Sequence, residues 1–283
     1  MTISVGLVGA GPWAEMVHAP MLAAGPDTRL VGVWARRPEA AARFGVPVFK
    51  RVEELFDNCE AVAFSVPPAV QAELGVLAAK AGKALLLEKP LAADLDGARR
   101  LAGAVAEAGV PSQMVLTWRY SEATRAFLAR VSALEPFGGH AANVSGALLG
   151  DFTSPWRLEH GAILDVGPHM IDMLDAALGR VVGVRAHGNP RGWVGLLLEH
   201  ETGAISEASL CMSVPGETPP SHVDIYGRLG HQRLEGDRLG SDVFAVMLAE
   251  FAETVEHGGG HPLDAAHGLR LQEIIAAAER HLG

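Results

Sequence analysis

The chain has 283 residues, 49% of them hydrophobic and 20% charged, with a formal net charge of −10. That length and apolar content bury one large core or two modest ones, and two domains are expected. The negative charge argues against a general binder of nucleic-acid backbones or of anionic membrane surfaces, and two isolated cysteines, Cys59 and Cys211, form neither a metal-type pair nor a disulfide framework.

Taken from the start, Ile3 to Val8 reads as a strand without the basic segment and cleavage-like site of an export signal. No later apolar run approaches the roughly 18 to 20 residues that span a bilayer, so a cytoplasmic protein is expected. The strand meets Gly9-Ala10-Gly11-Pro12-Trp13-Ala14, a G-x-G-x-x-G/A pattern that opens a helix carrying Val17, Met21 and Leu22. Its physics suits a pyrophosphate. Gly9 makes the tight turn, Gly11 lets backbone approach a ligand, Ala14 permits close packing, and the helix start offers free N–H groups to an anion. A glycine turn without a ligand is the plainer alternative.

A second strand, Leu30 to Trp34, precedes a helix from Pro38 to Phe44. Its end carries no acid to accept hydrogen bonds from an NAD ribose; Trp34-Ala35-Arg36-Arg37 offers two guanidinium groups suited to a 2′-phosphate. NADP(H) is therefore favoured over NAD(H), with solvated helix-start charges as the alternative. A short helix at Val52 to Phe56, a strand at Ala61 to Val66, a helix at Ala69 to Ala81, a strand at Ala84 to Leu87, a helix at Asp94 to Ala108 and a strand at Gln113 to Trp118 follow. This alternation predicts a parallel sheet that binds ligand beyond the carboxyl ends of its strands. Ser65, Pro67, Gln71 and Glu88 lie in or beside the loops at those ends and join Gly9, Gly11, Pro12, Trp13, Ala14, Arg36 and Arg37 as cofactor candidates. Lys89, directly after an all-apolar strand, is placed to transfer a proton or to polarise a substrate oxygen, with a surface Glu88-Lys89 salt bridge as the plainer alternative.

From about Arg119 the alternation ends. A helix is expected near Ser121 to Leu134, and Asp165 and His169, four residues apart, can share one side of the turn before a helix with Met170, Ile171, Leu174, Ala177 and Leu178 on its apolar face. That spacing lets the carboxylate orient the imidazole, while a polar cap is an equal alternative. Ala208, Leu210, Met212 and Val214 alternate with polar residues as in an antiparallel strand, and His222 to Tyr226 does so more weakly. Helices from Asp242 to Val255 and from Asp264 to Leu282 close the chain. The boundary is placed after Trp118, giving domains 1–118 and 119–283. The twelve histidines show no ligand spacing, and no metal is expected.

The glycine loop, His18-Ala19-Pro20, Pro67-Pro68, Ala81-Gly82-Lys83, Glu88-Lys89-Pro90, Trp156-Arg157 and the run Asp165-x-Gly167-x-His169-x-x-Asp172 together resemble the glucose-fructose oxidoreductase, inositol dehydrogenase and rhizopine-catabolism (Gfo/Idh/MocA) family. The resemblance covers nearly the whole chain. It implies an α/β fold: an N-terminal Rossmann domain with a doubly wound parallel sheet, then an α+β domain with a large, open, mostly antiparallel sheet through which copies pair as a homodimer or homotetramer. It also implies that Lys89, Asp165 and His169 line the place where hydride passes between a nicotinamide and a carbohydrate-like substrate. Trp118, Arg119, Trp156 and Arg157 are candidate contacts to cofactor or substrate. Family relatives include a nucleotide-binding regulator and a redox-assisted glycosidase, which stand as alternatives to a dehydrogenase. Three positions depart from the family pattern: Gln71 where asparagine or histidine is usual, Ala35 in place of the acid, and His160 in place of a glycine.

Overall fold

A computed structural model of the chain describes residues 2–150 and 153–282. Two compact units divide it, Met1–Val115 with Phe244–Arg270, and Leu116–Val243 with Leu271–Gly283. A single boundary after Trp118 does not foresee the return of 244–270 to the first unit.

The first unit alternates strand and helix. β1 (Ile3–Val8) leads into a helical stretch over 12–24 that contains a π-helical turn, Ala14–His18, before α1 (Ala19–Ala24). Then come β2 (Thr28–Trp34), α2 (Pro38–Ala41), α3 (Val52–Asp57), β3 (Ala61–Phe64), α4 (Pro68–Lys80), β4 (Ala84–Leu87), α5 (Leu95–Ala108) and β5 (Ser112–Met114). The sheet is wholly parallel, in the order β2-β1-β3-β4-β5. Every residue of β3 and β4 is buried, as expected for strands covered on both faces. Beyond β2, Val48 makes a parallel bridge to Val33, so one further extended segment continues the sheet at that edge. The order therefore reverses at β1, whose neighbours β2 and β3 lie on either side, and the crevice at such a reversal is where open α/β sheets bind ligands.

The expected strand over 113–118 ends at Met114, and Thr117–Tyr120 forms a 3₁₀ turn instead. Val115-Leu116 is apolar enough to look like a continuing strand. The N–H of Val115 bonds to the Leu87 carbonyl, and the chain then closes a turn from Arg119 N–H to Leu116 carbonyl that buries Trp118 and Tyr120.

The second unit holds α6 (Glu122–Ser132), β6 (Pro136–Val144), α7 (Pro155–Asp165), α8 (Gly167–Leu178), β7 (Val181–Gly188), β8 (Trp193–His200), β9 (Ile205–Cys211), β10 (His222–Gly227) and β11 (Gly230–Glu235). Its six strands run β11-β10-β6-β9-β8-β7, antiparallel except for the β6 and β9 pair. One face carries the buried Ser206, Ala208, Leu210, Val223 and Ile225. A Cβ at Gly139 on this face would meet Ile225 and Leu178 at 2.7 and 3.2 Å, so α8 packs directly on it. The expected strand through Val214 stops at Cys211. α9 (Val243–His257) and α10 (Ala265–Glu279) end the fold, and no described helix is long and apolar enough to cross a membrane.

Candidate active site

In the first unit the glycine loop is fixed by contact with its neighbour strand. Gly9 has φ of +122°, and a Cβ there would lie 2.1 Å from the Ser65 carbonyl oxygen, so only glycine lets β1 and the end of β3 run this close. The loop is also tied by Ser65 N–H to Val8 carbonyl at 2.8 Å. A Cβ at Gly11 would meet nothing within 4 Å, leaving open space over the loop backbone at a helix start. Pro12 and Trp13 are exposed, and Ala14 is fully buried. Arg43 donates to the Ala10 carbonyl at 3.0 Å and pairs with Glu15, a brace that no motif announces. Arg36 and Arg37 are exposed after β2; the Arg37 carbonyl accepts from Ala40 N–H at 3.1 Å, and among the described residues neither guanidinium forms a hydrogen bond or ion pair. The loop and the two guanidinium groups fit a dinucleotide: an unfilled approach to backbone N–H groups, with positive charge at the end of β2.

The turn after β4 is held from two directions. Gln71, fully buried on α4, donates from Nε2 to the carbonyls of Glu88, Pro90 and Leu91 at 2.7, 3.2 and 3.0 Å, and its Oε1 accepts from Glu88 N–H at 2.8 Å. Both ends of the Gln71 amide thus bond to the turn. Glu88 Oε1 accepts from Trp13 Nε1 and faces His18 Nε2, both at 2.8 Å, and its Oε2 accepts from Lys89 N–H at 3.2 Å. Burial pushes the Glu88 carboxyl up, but hydrogen bonding and charge from His18, with Lys89 and Trp13, hold it below the ordinary carboxylate range. The π-helical turn carries His18, fully buried, to this contact, which no spacing in the sequence announces. The Lys89-Pro90 bond is cis.

In the second unit Asp165 ends α7, Val166 is the junction, and His169 lies in the first turn of α8, so the two residues sit one helical turn apart. The segment before Gly167 is helical, not a lead-in loop, with a break at Gly161. There φ is +64°, and a Cβ would lie 1.8 Å from the Pro190 carbonyl oxygen, which receives the Ala162 N–H. Asp165 is buried and its Oδ2 accepts from Arg157 Nε at 2.8 Å, while the same guanidinium lies 4.8 Å over the Trp156 ring. Arg119 donates through Nη1 to Oδ1 of the buried Asp172 at 2.8 Å. Two expected contacts, Arg119 and Arg157, are therefore anchored by the acids of the Asp165 to Asp172 run. Trp118 is 7% exposed and packs over Gly236.

A family model of oxidoreductases with an NAD-binding Rossmann fold, GFO/IDH/MocA, matches residues 3–115, and the GFO/IDH/MocA C-terminal domain model matches residues 139–233. The chain is 29% identical over 298 residues to a dTDP-3,4-didehydro-2,6-dideoxy-alpha-D-glucose 3-reductase of Streptomyces violaceoruber, covering 99% of this chain and 80% of that protein. It is 25% identical over 201 residues to the uncharacterized protein YMR315W of Saccharomyces cerevisiae, covering 65% of this chain and only 58% of the yeast protein. Among solved structures, the WlbA dehydrogenase of Bordetella pertussis in complex with NADH and UDP-GlcNAcA superposes with a TM-score of 0.88 at 19% identity over 99% of this chain and 96% of that one, a likeness of fold.

Proposed function

We propose that this chain, which belongs to the GFO/IDH/MocA oxidoreductase family, is an NADP(H)-preferring dehydrogenase or reductase acting on a CH–OH or keto carbon of a carbohydrate, polyol or diol. The observation that carries this reading is the glycine loop at the reversal of the parallel sheet, with Arg36 and Arg37 exposed at the neighbouring strand end. The names of its relatives, a dideoxysugar reductase and a dehydrogenase solved with a sugar nucleotide, support a sugar-like substrate.

A bound nicotinamide supplies the hydride chemistry, and this chain's side chains position the substrate and move its proton. His169 transfers the hydroxyl proton, Asp165 holds the segment that carries it, and Lys89 stabilises charge on the reacting oxygen. Arg36 and Arg37 hold a 2′-phosphate through charge-assisted hydrogen bonds. Copies pair through the open face of the second sheet, where Trp193, Ile205 and Tyr226 are each about half exposed, and sedimentation of the purified chain tests this.

The deciding experiment titrates NADPH and NADH separately by nicotinamide fluorescence, then follows nicotinamide absorbance across a panel of sugars, ketosugars and polyols. Tighter NADPH binding with substrate-dependent oxidation supports the reading. Binding with no turnover across the panel favours a regulator, and failure to bind either nucleotide overturns it. Lys89→Met is expected to abolish turnover while nucleotide affinity stays within about threefold; unchanged turnover removes Lys89 from the mechanism.

A further inference from the structure

The second sheet brings His140 beside His222 and Asp224, which lie two residues apart on the neighbouring strand. β6 and β10 pair with His140 opposite Asp224 and Ala142 opposite His222, so both histidines and the aspartate emerge on the face turned away from α8. One donor atom from each of His140, His222 and Asp224 lies within 4.8 Å of the other two. The His222 and Asp224 side chains are only 16% and 9% exposed, although they stand on an open sheet face.

Their surroundings fix which atoms point inward. His222 Nδ1 lies 3.2 Å from the Pro220 carbonyl oxygen, which can only accept, so the ring proton resides on Nδ1. Nε2 is turned toward Asp224 Oδ2 at 3.6 Å, which leaves room for a shared cation between the two atoms. Arg233 steadies the carboxylate from outside, donating to Asp224 Oδ2 at 2.9 Å and to Glu235 Oε1 at 3.2 Å. Asp224 Oδ1 has no hydrogen-bond partner among the described residues. On the other flank, Glu207 of β9 stands opposite His140 in the parallel register.

We propose that His140, His222 and Asp224 bind a divalent transition-metal cation of the zinc class, with Glu207 or water completing the coordination. Two imidazoles and a carboxylate form the donor set that such ions take, and hard oxygen-seeking ions such as magnesium do not favour it. The supporting contacts also match those of metal sites: the ligand imidazole donates its remote N–H to a backbone carbonyl, and the ligand carboxylate is held by a charged donor. The cation ties β6 to β10 and takes no part in the chemistry of the nucleotide site.

The test titrates Co²⁺ into the full-length, chelator-treated protein, following ligand-field absorbance, with displacement by Zn²⁺ and melting curves with and without Zn²⁺. One saturable Co²⁺ equivalent and a melting temperature raised by Zn²⁺ are expected. His222→Ala and His140→Gln should each weaken Co²⁺ binding about tenfold or more, whereas His257→Ala, at the exposed end of α9, should leave it unchanged. Circular dichroism identifies any variant that has not folded, and the two histidine substitutions test the site independently. No saturable binding, or binding of equal strength in folded His222→Ala and His140→Gln, overturns the proposal.

Discussion

A methyl group on Gly9 would press into the Ser65 carbonyl at 2.1 Å while forcing an L residue to φ of +122°. Gly9→Ala is therefore expected to cost more than about 2 kcal/mol of stability and to abolish nucleotide binding, measured by melting and by NADPH titration. Gly11→Ala meets open space in the protein, so its melting temperature should stay near wild type while nucleotide affinity drops; equal affinity would show that backbone approach at Gly11 is unused. The proposed roles of Arg36 and Arg37 rest on contact with a 2′-phosphate, which NADPH carries and NADH lacks. Removing both as Ala should weaken NADPH about 10- to 100-fold, the worth of one or two charge-assisted hydrogen bonds, and change NADH by no more than about twofold. At this scale the glycine pattern was readable because each position has a steric reason tied to its spacing. Arg43 was not, because its bond to the Ala10 carbonyl depends on how the short helices after β2 fold back.

The turn from Glu88 to Leu91 shows how one element positions another. α4 lends Gln71 to four backbone groups of that turn, and the π-helical turn lends His18 to its carboxylate. Gln71→Leu leaves one N–H and three carbonyls without their partner, each costing about 1 to 3 kcal/mol if it stays dry. The expected signature is a fall in kcat of about tenfold or more with NADPH affinity nearly unchanged; parallel loss of both would mean that Gln71 serves the fold only. The depressed Glu88 carboxyl sets a pH dependence of defined sign. A group whose folded pKa lies below its unfolded value of about 4.3 adds stability above that value and loses it as pH falls through the folded pKa. Melting temperature should thus drop on acidification below about pH 4, and Glu88→Gln should flatten that part of the profile. The sequence located this turn through Glu88-Lys89-Pro90 and marked Gln71 as unusual, yet a contact between helix and turn has no signature in spacing. Asp165 and His169 were legible for the opposite reason: four residues along a helix is itself a geometry, and the structure keeps them one turn apart across a junction.

At the scale of the whole molecule, alternation of apolar runs predicted the parallel sheet and its loss near Arg119 predicted a second unit, because both patterns are local. The return of the chain to the first unit is not local. β5 is an edge strand of three buried residues, and its polar groups find partners far along the sequence: Gln113 Nε2 donates to the Met247 carbonyl at 2.8 Å, Met114 N–H to the Leu263 carbonyl at 2.7 Å, and Ser112 Oγ accepts from Ala265 N–H at 3.0 Å. Gly268 lies against Met114 and Leu91, where a Cβ would come within 2.8 Å of the methionine sulfur. A fragment ending at residue 118 keeps the entire alternating pattern but exposes this edge and the apolar surface beside it. Such a fragment is expected to melt well below the intact chain, or to aggregate, and to bind NADPH weakly. Joining residues 244–270 to residues 1–115 through a flexible Gly-Ser linker restores those partners and should recover both cooperative melting and nucleotide affinity. Equal stability of the two fragments would mean that the five parallel strands and their helices suffice, and that 244–270 only rests on a unit already complete.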